Sequence, residues 1–161
     1  MSSPVECLQT LLDQQVVASL AVLDQGSPAL SLVPYVVLRD PLRLFILISD
    51  LSPHTQALRA DPRCGVLIHE PPTPEDPRSN HGLPRLSFQA TAQLIFREDA
   101  TELGIDQLYR AKYPIAEMLL SLGDFHFCQI TPSQGSLIQG FGKAYKLSGS
   151  NFENLDHQTG K

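Results

Sequence analysis

Three β-rich runs crowd the start of this chain, Val16–Leu23, Ala29–Leu38 and Leu42–Ser49, parted by only five residues and then three. Links that short cannot carry a strand across a sheet to a parallel neighbour, which takes a dozen residues or more, so the runs read as an antiparallel meander. The 161-residue length leaves room for one core and no second one.

The remaining segments fit around that sheet. Ser3-Pro4-Val5-Glu6 has the form of a capping box with Pro at the first helical position, and Cys7, Leu8, Leu11 and Leu12 follow at helical spacing. Ser52-Pro53 opens a second helix that stops near Asp61-Pro62, and Cys64–His69 is the next strand. Glu70–Pro84, with five prolines, is an extended loop that serves as a lid, a dimer arm or a disordered excursion. Alternation returns in Arg85–Phe96, and helical spacing in Glu98–Ala111 and Ile115–Leu122. Two last strands, Asp124–Thr131 and Ser136–Leu147, are joined by the turn sequence Pro132-Ser133-Gln134-Gly135. The polar stretch 148–161 has no periodicity and reads as a loose tail behind a single domain, 1–147. About seven strands with short helices predict a mainly β (α+β) fold, a closed or partly closed antiparallel barrel.

Charge narrows the function classes. Twelve basic against 17 acidic side chains give a net charge of −5, the wrong sign for gripping phosphate backbones, so no nucleic-acid partner is expected. The longest apolar runs have about eight residues against the roughly 20 that span a bilayer, and no leader pattern opens the chain. A cytoplasmic location without membrane contact is the expectation. Cys7, Cys64 and Cys128 have neither disulfide nor zinc spacing and read as packed thiols.

Chemistry-bearing patterns are few. Gly140-Phe141-Gly142-Lys143-Ala144 lacks both the P-loop spacing and the dinucleotide fingerprint, and His126 with Cys128 on one strand face is only two ligands. Ser49-Asp50-Leu51-Ser52-Pro53-His54-Thr55 leaves an apolar strand for a helix N-terminus, where unpaired N–H groups and the helix dipole favour an anion. Ser49, Ser52 and Thr55 add hydroxyls and His54 a titratable ring; either these hold a phosphate or Ser52 simply caps its own helix.

Gly26-x-Pro28-x-x-Ser31-x-Val33-Pro34, then Phe45-x-x-x-Ser49-x-x-Ser52-x-His54-x-x-x-Leu58, then Asp61-Pro62-Arg63 resembles the pyridoxamine 5'-phosphate oxidase-like FMN-binding split-barrel family. Pro84-Arg85-Leu86, Lys112-Tyr113-Pro114, Gly123-Asp124-Phe125-His126-Phe127 and Gly140–Ala144 are similar to its haem-utilisation branch. The resemblance runs from Val16 to Leu147. It implies a six- to seven-stranded antiparallel split barrel that works as a homodimer with FMN at the subunit interface. The phosphate would fall to Ser49, Ser52, His54 and Thr55, the strand through Ser31, Val33 and Pro34 would pass beside the flavin, and Arg85 would reach the cofactor. His54 stands where many relatives have Lys. The Trp-containing substrate constellation of true pyridoxamine phosphate oxidases has no counterpart, because the chain has no Trp. In some haem-utilisation relatives a C-terminal histidine ligates haem iron, and His157 is the candidate here.

The resemblance thus implies an FMN-dependent oxidoreductase connected with haem use or breakdown. The alternative is a haem or flavin carrier or regulatory module on the same barrel, and a third reading replaces FMN by a deazaflavin or by nothing.

Overall fold

The computed structural model describes residues 2–75 and 79–160. Helix α1 (Pro4–Gln14) starts on the expected capping box: Glu6 N donates to Ser3 Oγ at 3.2 Å, and Ser3 N to Glu6 Oε2 at 2.9 Å. Its Cys7, Leu8, Leu11 and Leu12 close one end of the core.

Strands β1 (Ala18–Asp24) and β2 (Ser27–Val33) form a tight hairpin, with Ala18 opposite Val33 and Asp24 opposite Ser27. Here the expected meander is corrected. The second run breaks at Pro34-Tyr35 and resumes as β3 (Val36–Leu38), which pairs with β4 (Arg43–Ser49) and not with β2. Proline has no N–H for a ladder. Tyr35 makes its backbone bonds elsewhere: its N–H donates to Tyr113 Oη at 3.0 Å and its carbonyl accepts from Lys112 Nζ at 2.9 Å.

The main sheet runs β2-β1-β5-β6-β7-β4-β3, with β5 at Arg63–His69, β6 at Arg85–Ile95 and β7 at Phe125–Gly140. Its two edges, β2 and β3, are thus joined by a two-residue link. A link of that size reaches about 11 Å, so the sheet must curl until its edges nearly meet. The result is a barrel left open along one seam.

Both faces of β4 are buried, which is why Leu42–Ser49 reads as one unbroken apolar run. Leu44, Ile46 and Ile48 face the barrel interior, while Phe45 and Leu47 join Phe127 in a second cluster under α3 (Arg97–Glu102), α4 (Ile105–Lys112) and α5 (Ala116–Ser121). Helix α2 (Pro53–Ala60) buries Ala57 and Leu58 in the barrel core.

Two further expectations change. Pro132–Gly135 is not a turn but lies inside the 16-residue β7. Gln89 pairs with Gln134 and Ala90 with Pro132, so Ser133 is an extra residue in a bulge, where a strand tolerates proline. The hairpin falls later, at Phe141-Gly142, before β8 (Lys143–Ser148).

The polar tail is also ordered. Gly149 bends back at φ 92° and Phe152 enters the core edge-on to Phe88, centroids 5.8 Å apart. Asn151 grips Asp40 through two bonds of 2.7 and 2.9 Å, and β9 (Asn154–Gln158) pairs along β8. The described residues therefore hold nine strands in the expected split-barrel class. Of the proline-rich loop, residues 76–78 lie outside the described residues; its neck is closed by Glu70 N donating to Pro84 O at 3.0 Å and by Asn80 bonded twice to the Thr73 backbone. No helix among the described residues is long and apolar enough to cross a membrane.

Candidate functional site

The β4–α2 junction is a polar knot at the end of two apolar strands. Ser49 pairs with Phe125 in the ladder, which brings Asp124 to it: Ser49 Oγ donates to Asp124 Oδ2 at 2.8 Å and accepts from Leu51 N at 3.1 Å. Thr55, fully buried, donates to Ser49 O at 2.6 Å. Ser52 starts α2 in extended geometry without a side-chain cap bond. Asp50 lies between Arg59 Nη2 at 2.6 Å and His126 Nε2 at 2.9 Å. Hydrogen bonds from His126 and then Arg59 hold its carboxyl below the ordinary range. His54 is half-buried, and burial holds its imidazole below the ordinary value and so neutral near pH 7.

For a phosphate dianion this knot is a poor cradle. The Ser49 and Thr55 hydroxyl protons are already given to protein oxygens, Arg59 is held by Asp50, and His54 is neutral. Two carboxylates, Asp50 and Asp124, lie in the same knot and would repel a phosphate dianion brought to it. The residues present do not fit FMN's phosphate.

On β2, Ala29 and Val33 face the core and Ser31 points the same way, its buried hydroxyl without a hydrogen-bond partner. Leu30 and Leu32 point outward at 79% and 67% exposure. Pro34 sits at the seam. Among the described residues β2 pairs with β1 alone, which leaves its other side as a sheet edge.

Arg85 and His157 both lie toward the hairpin end of β7, but three strands apart and on opposite faces of the sheet: Arg85 is in register with Ile138, Ala144 and Gln158, and His157 with Tyr145, Leu137 and Leu86. Arg85, at the start of β6 opposite Ile138, uses Nη1 to donate to His81 O at 3.3 Å and Leu83 O at 3.2 Å. His157 lies on β9 opposite Tyr145, the two rings 5.1 Å apart, and its Nε2 is 2.9 Å from Gly142 O. A carbonyl only accepts, so Nε2 carries the proton and Nδ1 the lone pair. The imidazole is thus fixed from behind by a backbone carbonyl, as metal-binding histidines are.

The residues singled out in the sequence therefore form two groups. Ser49, Ser52, His54 and Thr55 are at the β4–α2 end of β7, and Arg85 and His157 at its hairpin end, 13 residues or roughly 40 Å along the strand. Within one chain they do not meet. Between them the outer sheet face carries a shallow groove of about 670 Å³, floored by the small residues Ser19, Ala21, Gly65, Ser87 and Ser136 and lipped by Leu30 and Lys146. The Asp50–His126–Arg59 set escaped sequence reasoning. Its signal lay in the alternation of Asp124 and His126 with Phe125 and Phe127, legible only once β4 is known to pair with β7.

The chain matches the family described as pyridoxamine 5'-phosphate oxidase over residues 5–139. It is 31% identical over 142 residues to the heme oxygenase HutZ of Vibrio cholerae, covering 86% of this chain and 77% of that protein. It is also 30% identical over 162 positions to the chloroplastic non-canonical heme oxygenase HOZ of Arabidopsis thaliana, covering 99% of this chain. The chain spans only 47% of that second relative's length. Campylobacter jejuni ChuZ has the same fold at TM-score 0.81 and 21% identity, over 99% of this chain and 64% of that one.

Proposed function

Because this chain belongs to the pyridoxamine 5'-phosphate oxidase family, in its haem-utilisation branch, we propose that it binds haem and degrades it oxidatively, with His157 as the residue that would hold its iron and a second copy of the chain completing the site. The observation that carries this reading is the 99% coverage by the Arabidopsis heme oxygenase, which takes in the β9 strand bearing His157. The family match alone ends at residue 139, before that strand begins.

The chemistry of the donors agrees. Porphyrin supplies four of the iron's ligands, so one protein imidazole is enough. His157 offers an exposed ring fixed on its far side. FMN is disfavoured as the resident cofactor, since its phosphate would meet Asp50 and Asp124. Oxidative opening of the ring would take dioxygen as the oxidant and electrons from an external reductant, and haem is substrate.

A homodimer would bring the two groups together: a two-fold axis beside the groove would set the β4–α2 knot of one copy against the His157 end of the other. Exposed Leu30 lies at the groove's lip, and Leu32 is exposed two residues along the same face of β2, where such a contact would bury both.

Absorption spectroscopy tests the reading. Haemin should give a Soret band at one per chain, FMN should not be retained, and the band should decay in air with added ascorbate. A protein that holds FMN and ignores haemin overturns the proposal, and a Soret band stable to ascorbate and air would make it a carrier.

A further inference from the structure

We propose that Phe141, at the tip of the β7–β8 hairpin, is a substrate-binding residue that lays its ring against one face of the macrocycle ligated by His157. The inference rests on the haem reading above and goes beyond it by naming the surface that recognises the porphyrin.

The turn itself has no need of a phenylalanine. Gly140 pairs with Lys143, so Phe141 and Gly142 are the whole connection, and the left-handed demand falls on Gly142 at φ 70°. Two-residue hairpins favour Asn, Asp or Gly at such positions because these form the turn at least cost. Phe141 instead leaves its ring 79% exposed and adds nothing to either core cluster. A residue that breaks a local rule without a structural gain marks a functional position.

The ring is nevertheless placed. The short turn Ser79–Gly82 lies against it so closely that a Cβ on Gly82 would stand 3.1 Å from Phe141 N and 3.3 Å from its Cδ2. The loop thus supports the ring from one side and leaves the rest open. The next carbonyl in the chain, Gly142 O, is the one that holds His157 Nε2 at 2.9 Å. Aromatic ring and candidate ligand are therefore tied to successive residues of one turn. An aromatic face and an imidazole held by one turn match a flat apolar macrocycle with a central metal.

The test compares Phe141→Ala and Phe141→Trp with the parent protein. The chain has no tryptophan, so Phe141→Trp carries a single reporter at the proposed contact. Stacking of one aromatic side chain predicts that Phe141→Ala binds haemin about tenfold more weakly. Its Soret position and melting temperature should match the parent's, because His157 and the fold are untouched. Phe141→Trp should keep parental affinity, with its emission quenched at one haemin per chain. Parental affinity in Phe141→Ala, or a fall in its melting temperature equal to the loss of binding, overturns the inference, as does unquenched emission in haemin-loaded Phe141→Trp. If the parent itself binds no haemin, it is the haem reading that has failed.

Discussion

Phe152 determines whether the last residues of the chain are part of the fold. It adopts φ 55°, an unfavourable backbone for a bulky residue, and its side chain, 1% exposed, meets Phe88 edge-on. That anchor sets the register of β9 and with it the place of His157. Phe152→Ala should therefore lower stability by about 3–5 kcal/mol in urea denaturation. Haem ligation should weaken at the same time, and a variant with parental stability would show that β9 holds without the anchor. His54 provides a second test at a single residue. Burial holds its folded-state pKa below the ordinary 6.5, so below that pH the unfolded chain binds more protons than the native one. The contribution of neutral His54 to stability is full above pH 6.5 and declines on acidification through the folded-state value. His54→Gln should flatten the fall in melting temperature between pH 7 and pH 5, and an unchanged slope would assign that fall to other groups.

Elements were legible where their own residues carry the pattern. The α1 capping box, the α2 start and strands β5 and β6 lie within a residue or two of the reading from periodicity. β7 and β9 were not, for different reasons. Pro132 reads as a chain break, but the bulge at Ser133 absorbs the missing donor. β9 has one partly buried apolar residue, Leu155, because an edge strand is held by backbone pairing to β8 that leaves no mark in hydrophobic periodicity. The site shares this split: the helix start was visible, whereas Asp50 meeting His126 depends on a pairing between distant strands. The break between β2 and β3 provides the test at this scale. Tyr113 Oη accepts Tyr35 N–H at 3.0 Å and lies 2.7 Å from Val16 O, fastening α4 to the seam. Tyr113→Phe keeps the ring against Tyr109 but leaves that N–H unpaired, at a cost of about 1–2 kcal/mol or a few degrees in melting temperature. No loss at all would mean water replaces the hydroxyl.

At the scale of the whole molecule, the long β7 that completes the barrel also separates the two halves of the proposed site. The hydrogen-bonded knot at Ser49 and the His157 corner each occupy one end of it, and a curled sheet has no hinge that would fold those ends together. Two copies related by a two-fold axis solve this without deformation, since an isologous contact presents each end to the other copy's opposite end. Sedimentation should then show a dimer whether or not haemin is present. Complementation gives the sharper result. On the shared-site reading, His157→Ala damages one half-site and a change in the β4–α2 knot such as His54→Ala the other, so each pure variant should lose ascorbate-driven haem turnover. When the two are unfolded together in equal amounts and refolded, half of the dimers are mixed, and each mixed dimer rebuilds one undamaged site beside one doubly damaged site. About a quarter of the parental activity should return, the fraction set by random pairing of two-fold dimers. A site confined to single chains would recover nothing on mixing, and that outcome would remove the shared site while leaving haem binding at His157 standing.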